Sequence, residues 1–451
     1  MSQNTARISE IIDNAKVSPY QILILSLCFL IVLLDGFDTA IIGYIAPALR
    51  EEWDLLPAQL SPAFGAGLFG LLLGSLIFGP VADAIGRKRV LLVSILIFGG
   101  GTLASAYTHS IESLTLLRLI TGIGLGGAMP TCITLSSEYS PARRRMIMVT
   151  LSWSGFTAGL ALGGLLAGQI IPVFGWRGVL TLGGIAPLLL LPLLAWQMPE
   201  SVRFMASSPK HAAGLRQVVE RITGKSWAGV TILDDERPTQ ARSRSPMTHL
   251  FTEGRAVRTL LLWAAFFCSL FVFYQLTSWL PSILKDAGYD IVHASRIGAM
   301  LPLGGTLGAI LMALLMDRVG PYRVLALSYL GAALVVGATG YLMGDVYTLA
   351  ATVFLVGFGV AGAQNGLNLV SATIYPTAAR VTGVSWAMAS GRFGSIVGSM
   401  LGAWMIAAAG SPETFFIWLA LPVLVGSAAI FLLYRLSLSH RASATDSALP
   451  N

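Results

Sequence analysis

The sequence predicts an all-α membrane protein from three features: scarce charge, long apolar segments and an internal repeat. Charged residues make up 11% of the 451 positions and hydrophobic residues 55%, which leaves too little polar surface for a water-soluble globule. A membrane-spanning helix takes about 20 apolar residues, so the chain has enough for roughly twelve. Because the apolar segments are unbroken, whereas the strands of a membrane barrel alternate polar and apolar residues, a barrel is excluded.

Six apolar segments precede a polar stretch and six follow it. The predicted spans are residues 20–48, 61–81, 90–107, 114–135, 147–171, 179–196, 260–284, 297–316, 324–343, 347–372, 382–408 and 415–436. The polar stretch predicts an amphipathic helix near 211–222. We expect an N-terminal six-helix bundle at 1–198, a cytoplasmic connector at 199–256, and a C-terminal six-helix bundle at 257–451 with a short cytoplasmic tail.

The lysines and arginines between the spans fall mostly on one side of the membrane. If the N-terminus is cytoplasmic, the loops on the opposite side hold only Arg50, Arg177, Lys285 and Arg296. Cytoplasmic loops carry the excess of Lys and Arg, so we expect both termini in the cytoplasm. The net charge of +7 therefore indicates topology rather than nucleic-acid binding. Residues 1–19 are polar and the first span is long enough to cross, so we expect no cleaved signal peptide.

The sequence lacks the patterns that are typical of an enzyme or a cofactor site. Its five histidines lie outside the spans without metal-ligand spacing, its three cysteines lie in separate spans, and it has no phosphate-binding loop. We therefore expect no enzyme activity, no cofactor and no metal. An ion gradient is the expected energy source, and the expected state is a monomer in membrane lipid.

A loop motif recurs in the two halves. Residues 83–89 read DAIGRKR and residues 317–323 read DRVGPYR, so Asp, Gly and the last Arg recur at one offset. Residues 79–88, GPVADAIGRK, resemble the loop signature of the major facilitator superfamily, whose fold of two pseudo-symmetric six-helix bundles covers the whole chain. The resemblance implies alternating access to the two sides of the membrane.

The same motif predicts a cytoplasmic gate in which acidic side chains pair with arginines. The predicted gating residues are Gly79, Asp83, Gly86, Arg87, Lys88, Glu138, Asp317 and Arg318. The alternative is a basic loop that only sets topology. The duplicated Asp favours the gate, because acidic residues contribute little to topology.

A second set of motifs resembles the aromatic acid:proton symporter family. The motifs are DGFDT at 35–39, LRL at 117–119 with Gly122, Gly124 and Gly126, SEY at 137–139, TSWLP at 277–281, GVSW at 383–386 and GRFG at 391–394. Members of that family carry hydroxybenzoates, protocatechuate, gallate, benzoate or related acids into bacteria. The resemblance implies uptake of an aromatic carboxylate together with protons across the bacterial inner membrane.

Two acidic residues lie one turn apart in the first span. Asp35 and Asp38 share one helix face, and an ionised carboxylate in hydrocarbon is unfavourable unless a proton or cation compensates it. We expect the pair to titrate as one coupled unit and to carry the transported proton on either Asp. The alternative is that one Asp only hydrogen-bonds backbone near Gly36 and orients the helix.

Two arginines, Arg118 and Arg392, lie within apolar spans of opposite halves. A guanidinium keeps its charge and binds a carboxylate through two parallel hydrogen bonds, so each arginine predicts a contact with the substrate. For each one, a structural pair with Asp35, Asp38 or Glu138 is an equal alternative.

Aromatic and amide side chains complete the predicted substrate site. Trp386 and Phe393 are preferred for stacking on a ring because they flank Arg392, and Tyr274 is a further candidate, although aromatic residues in spans are commonly packing residues. Gln364 and Asn365 are suited either to read ring hydroxyls or to join helices. Glycines at four-residue spacing in the fifth and eleventh spans predict close helix packing.

Together these features predict a proton-coupled symporter that imports an aromatic carboxylate by alternating access. Two alternatives stay open at this point: a symporter for another organic acid, and a transporter-like chemoreceptor for aromatic acids.

Overall fold

The computed structural model describes residues 5–207, 209–228, 230–233, 250–252, 255–375 and 377–446, and helices dominate this part of the chain. The helices are α1 (Ile8–Asn14), α2 (Pro19–Trp53), α3 (Pro57–Ile85), α4 (Arg87–Ser105), α5 (Ile111–Glu138), α6 (Arg145–Gln197), α7 (Val202–Ala206), α8 (Ala212–Thr223), α9 (Ala256–Asp286), α10 (Ile291–Val319), α11 (Pro321–Thr339), α12 (Val346–Val360), α13 (Gln364–Ile374), α14 (Thr377–Ala409) and α15 (Pro412–Asp446). Two short strands, β1 (Thr5–Arg7) and β2 (Thr231–Leu233), are also present. The predicted all-α class is confirmed, and the small sheet is an addition to it.

Ten of the described helices are long and apolar enough to cross a membrane, so the chain is a multi-pass membrane protein. One of them, α6, has 53 residues and contains both the fifth and the sixth predicted spans; Gly175, with φ 68° and ψ −178°, interrupts its helical backbone. The tenth predicted span is divided between α12 and α13. The count of twelve separate spans therefore stays a prediction.

The chain forms two compact units. The first unit comprises Met1–Ile41, Ala66–Gly163 and Phe174–Ala241. The second comprises Ile42–Gly65, Gly164–Val173 and Arg242–Asn451. The second unit thus contains α9 to α15 together with the C-terminal part of α2, the N-terminal part of α3 and a central segment of α6. The division at 198 and 256 expected from the sequence stays a prediction.

The two copies of the loop motif have the same backbone geometry. Each copy joins a helix of 29 residues, α3 or α10, to a helix of 19 residues, α4 or α11. The joining residue is Gly86, with φ 101° and ψ 148°, or Gly320, with φ 97° and ψ 144°. Because a side chain disfavours a positive φ, the turn requires glycine. The internal repeat predicted from the sequence is confirmed at these elements.

Part of the predicted connector folds against the N-terminal segment. β1 and β2 pair in parallel, with Thr5 opposite Thr231, and α1 contacts α8. The predicted amphipathic helix is confirmed as α8. Its buried face and that of α1 consist of Leu215, Val218, Val219, Ile222, Ile8, Ile11 and Ile12. The backbone N–H of Ala142 donates to Asp13 Oδ1 at 2.6 Å, so α1 also contacts the loop between α5 and α6.

Candidate functional site

An ion pair lies inside the first unit. Asp38 on α2 and Arg118 on α5 have side chains that are 2% and 3% exposed. Arg118 Nη1 lies 3.3 Å from both carboxylate oxygens of Asp38. Because a buried charge is unfavourable unless it is paired, each residue compensates the other. Among the three acidic partners considered for Arg118, the structure places Asp38 against it.

Three hydroxyl groups surround the same guanidinium. Arg118 Nη2 donates to Thr102 Oγ1 at 3.1 Å, to Ser105 Oγ at 3.1 Å and to Thr121 Oγ1 at 3.3 Å. Thr102 in turn donates its hydroxyl hydrogen to Asp38 Oδ1. The motifs did not include these residues. The sequence signal for them was the pair Thr102 and Ser105, two hydroxyl residues at i and i+3 in the third span. This pattern is also common in ordinary helix packing.

Asp35 lies one turn before Asp38 on α2. Its side chain is fully buried, and it accepts a hydrogen bond from Thr39 Oγ1 at 3.4 Å. Gly36 lies between the two acids at a close approach of α2 and α6, where a Cβ atom would be 2.1 Å from the carbonyl oxygen of Phe156. This glycine is therefore required for packing, and it fixes α6 beside the two carboxylates.

The loop motif of the first unit is held by ion pairs of its arginine. Arg87 pairs with Glu138, and its Nη2 lies 3.3 Å from Asp83 Oδ1. The side chain of Asp83 is 73% exposed and that of Glu138 only 4%, so Glu138 is the buried anchor. Ser201 joins this group, since it accepts from Arg87 Nη1 at 2.8 Å and donates to Glu138 Oε2 at 2.6 Å.

Glu200, which the motifs do not include, caps the turn into α4. Its Oε1 accepts hydrogen bonds from the backbone N–H groups of Arg87 at 2.7 Å, Lys88 at 3.0 Å and Ser201 at 2.8 Å. Lys88 Nζ donates to the carbonyl oxygen of Ala195 at 2.7 Å. A carboxylate at the first turn of a helix is favoured by the helix dipole. Glu200 therefore fastens the loop motif to the chain that follows α6.

The remaining predicted gating residues lie at exposed positions. Gly79 is exposed on α3, and a Cβ atom there would meet nothing within 4 Å. In the second unit, Asp317 and Arg318 are exposed near the end of α10. The structure thus gathers Asp83, Arg87 and Glu138 in the first unit, and the gating role of all these residues stays a prediction.

In the second unit, Gln364 belongs to a short chain of hydrogen bonds. Tyr329 OH donates to Ser269 Oγ at 2.9 Å, and Ser269 Oγ donates to Gln364 Oε1 at 3.0 Å. Tyr329 and Ser269 are buried. Asn365 lies in the first turn of α13, and its side chain is outside the described residues. Tyr274 is half-buried on α9.

The aromatic residues predicted to stack on a ring contact α9. The ring of Trp386 stacks on Trp263 with 5.8 Å between centroids, and the ring of Phe393 lies 6.2 Å from that of Phe267. Trp386 is 41% exposed and Phe393 is 59% exposed, whereas Arg392 is half-buried. The assignment of Arg392, Trp386 and Phe393 to substrate binding stays a prediction.

Two ion pairs join the ends of α2 and α9 within the second unit. Arg50 Nη1 lies 3.1 Å from Asp286 Oδ1 and 2.8 Å from Asp286 Oδ2. Beside it, Lys285 Nζ lies 3.9 Å from Glu51 Oε2. We call these four residues the α2–α9 latch. The motifs did not predict it, because adjacent opposite charges at the end of a span are common in loops.

Comparison with known proteins gives one family and consistent relatives. The model of the Major Facilitator Superfamily matches residues 28–341 and 297–449. A gallate transporter of Pseudomonas putida is 42% identical over 94% of this chain and 94% of its own. The 4-hydroxybenzoate transporter PcaK of Pseudomonas aeruginosa is 40% identical over 94% of this chain and 95% of its own.

Solved structures share the fold at low sequence identity. A bacterial homolog of the human lysosomal transporter Spinster has a TM-score of 0.70 at 18% identity, over 93% of this chain and 98% of its own. A D-xylose–proton symporter has a TM-score of 0.69 at 18% identity, over 92% of this chain and 97% of its own.

Proposed function

We propose that this chain, which belongs to the major facilitator superfamily, is a proton-coupled symporter that imports an aromatic carboxylate. The superfamily consists of transporters, so the chain is a transporter and not an enzyme. The proposed substrate class is of the hydroxybenzoate, protocatechuate, gallate or benzoate type. The names of the relatives at about 40% identity, a gallate transporter and a 4-hydroxybenzoate transporter, support its gallate and hydroxybenzoate members. The observation that carries the coupling is the buried Asp38–Arg118 pair.

The pair supplies a physical link between proton and substrate. When Asp38 is ionised, its carboxylate occupies Arg118 Nη1. When Asp38 takes up a proton, it loses its negative charge and the guanidinium is left with an uncompensated positive charge. A buried cation favours a new anion, and a carboxylate substrate is such an anion. Release of the proton restores the pair and disfavours the substrate carboxylate.

Further residues keep their proposed roles around this link. Asp35 shares the coupling with Asp38. The proposed substrate contacts, besides Arg118, are Arg392, Trp386, Phe393, Tyr274, Gln364 and Asn365, and the proposed gate is the set of loop-motif residues together with Glu138. Co-transport of one proton with a monovalent anion moves no net charge, so a pH gradient alone drives it.

We place the protein in the bacterial inner membrane as a monomer with both termini in the cytoplasm. The excess of Lys and Arg in the loops assigned to the cytoplasm supports this orientation. In it, the α2–α9 latch lies on the side away from the cytoplasm.

The test of the symport is uptake by proteoliposomes that contain the purified protein. A panel of labelled benzoates, including gallate and 4-hydroxybenzoate, is offered with and without an imposed pH gradient that is acidic outside. We expect accumulation of at least one of them only with the gradient. If no member of the panel accumulates under the gradient, the proposed symport is wrong.

The coupling residues are tested by removing their charge. We expect Asp38→Asn and Asp35→Asn to abolish gradient-driven accumulation, because an amide cannot take up and release the proton, while exchange of labelled for unlabelled substrate survives in one of them. The control is Asp290→Asn, whose carboxylate is 61% exposed and outside the helices. Normal accumulation by both span variants would contradict the assignment.

A further inference from the structure

Thr102 lies at the contact between the two charged groups of the first unit. Its hydroxyl donates to Asp38 Oδ1 and accepts from Arg118 Nη2 at 3.1 Å. The residue is fully buried. Its methyl group faces α6, where a Cβ atom on Gly183 would lie 3.3 Å from Thr102 Cγ2. Packing and hydrogen bonding together direct the hydroxyl hydrogen at the carboxylate.

We propose that Thr102 is a positioning residue that favours release of the proton from Asp38, a role that rests on the proposed symport. A hydroxyl has a single hydrogen to donate. When Asp38 is ionised, the hydroxyl of Thr102 donates a hydrogen bond to its carboxylate. A protonated carboxyl group accepts a hydrogen bond more weakly than a carboxylate does. The hydrogen bond from Thr102 therefore stabilises the ionised form of Asp38 over the protonated form.

Ser105 and Thr121 have a different part in the same group. Both hydroxyls accept a hydrogen bond from Arg118 Nη2. Ser105 in turn donates a hydrogen bond to the carbonyl oxygen of Gly101 at 2.7 Å. In the contacts of the described chain, neither hydroxyl donates to Asp38. Ser105 and Thr121 accept hydrogen bonds from Arg118 whether Asp38 is protonated or ionised. Thr102, in contrast, contacts both Arg118 and Asp38.

The charged surroundings of Asp38 come from two helices. α2 contributes Asp35 and α5 contributes Arg118. From α4, the described contact is the uncharged hydroxyl of Thr102. From α6, the residue that lies next to this threonine is Gly183, which carries no charge. A change at Asp35 or Arg118 alters the total charge of the site. Thr102 is therefore the position at which the hydrogen bonding of the carboxylate can be changed while every charge is kept.

The test is the dependence of uptake on internal pH. Proteoliposomes at one external pH and a series of internal pH values receive labelled 4-hydroxybenzoate, and the internal pH at which the initial rate of uptake is half-maximal is recorded. Thr102→Val keeps the shape and removes the donor. We expect its midpoint to rise by about one pH unit, since a hydrogen bond to a charged group is lost. Thr102→Ser, which keeps the hydroxyl, is expected to restore the wild-type midpoint.

A matched control separates this role from a general effect on packing. Thr131 is a buried threonine of α5 whose hydroxyl donates to the carbonyl oxygen of Gly127 at 2.6 Å, so Thr131→Val is expected to leave the midpoint unchanged. If Thr102→Val does not reach the membrane, Thr102→Cys replaces it. Its thiol is a weaker donor, and a smaller rise of the midpoint is expected.

The possible results distinguish this role from the symport itself. A variant at Thr102 that lowers uptake equally at every internal pH, with an unmoved midpoint, overturns the role of Thr102 alone. Failure of the wild-type protein to accumulate any benzoate under a gradient overturns the symport and this role with it.

Discussion

Arg118 is surrounded by groups that accept its hydrogen bonds on two sides. Its Nη1 contacts the carboxylate of Asp38, and its Nη2 contacts the hydroxyls of Thr102, Ser105 and Thr121. A lysine ammonium would not reproduce this planar arrangement of donors. The site is therefore specific for arginine, and the energetic importance of the pair depends on its burial.

We expect Arg118→Gln to destabilise the protein more than the double variant Asp38→Asn/Arg118→Gln. The single variant leaves the carboxylate of Asp38 buried without its counter-charge, and breaking a buried pair in this way costs about 3–5 kcal/mol. The double variant replaces both charges by neutral amides. The measurement is the midpoint of unfolding in detergent, and neither variant is expected to accumulate substrate. Equal midpoints for the two variants would show that the pair does not balance charge.

The sequence predicts the charged residues of the site but not the hydroxyl residues beside them. Asp35, Asp38 and Arg118 were identifiable because charges inside an apolar span are rare and demand compensation. The choice of Asp38 as the partner depends on how α2 and α5 are rotated, which spacing along one helix does not specify. Thr102 escaped notice because hydroxyl residues are frequent in spans, where they commonly bond to the backbone of their own helix.

At the scale of secondary-structure elements, the glycine turn that joins a 29-residue helix to a 19-residue helix occurs twice with little change. The φ and ψ values of Gly86 and Gly320 differ by only a few degrees. The side-chain contacts differ, because Glu200 caps the first joint through Arg87 and Lys88, whereas Pro321 begins α11 after the second. The backbone turn is thus the part of the motif that the fold requires in both copies.

We expect Gly320→Ala to destabilise the protein and Gly331→Ala to stabilise it. A Cβ atom at either position meets nothing within 4 Å, so both changes act on the backbone alone. Gly320 has φ 97° and ψ 144°, a backbone conformation that side chains strongly disfavour, so a side chain there costs about 1–3 kcal/mol. Gly331 lies inside α11, where alanine is better by about 0.5–1 kcal/mol. Unfolding midpoints in detergent measure both, and a loss of stability in both variants would contradict the backbone explanation.

The spans were predictable because a helix in lipid must be apolar over a minimum length. The positions at which these helices are interrupted were less predictable. Gly175 interrupts α6 while helix continues on both sides, and residues 361–363 divide a run that composition alone presents as one span. α1 and the strand pair β1–β2 were missed because they are short, and β1 and β2 lie more than 200 positions apart in the sequence.

At the scale of the whole molecule, the α2–α9 latch joins helices from the two sequence halves inside the second unit. Its charges alternate, with Arg50 before Glu51 on α2 and Lys285 before Asp286 on α9. The side chains of Arg50 and Asp286 are 22% and 49% exposed, so solvent and salt weaken the pair. Such a contact favours one arrangement of two helix ends without fixing it, as alternating access requires.

We expect Arg50→Ala to increase the exposure of the buried face of α9 by up to about fivefold, because an exposed pair contributes at most about 1 kcal/mol. The reporter is Ser282→Cys in a background without Cys28, Cys132 and Cys268. Ser282 is 1% exposed, and its hydroxyl has no hydrogen-bond partner in the described part of the chain. The measurement is its rate of labelling by a membrane-impermeant maleimide.

The latch prediction has an internal control. The separation between Lys285 and Glu51 is 3.9 Å, compared with 2.8 Å between Arg50 and Asp286, so Lys285→Ala is expected to change the labelling rate less. High salt is expected to reduce the difference between Arg50→Ala and the wild-type protein. A labelling rate that is the same in all three proteins would rule out a role for the latch.

The pairing of β1 with β2 brings the N-terminal segment next to the middle of the predicted connector. Residue 5 lies opposite residue 231, so a segment of more than 200 residues closes on itself before the chain enters the second half. Closing so long a loop costs conformational entropy, so this short strand pair depends on the packing of α1 against α8 beside it.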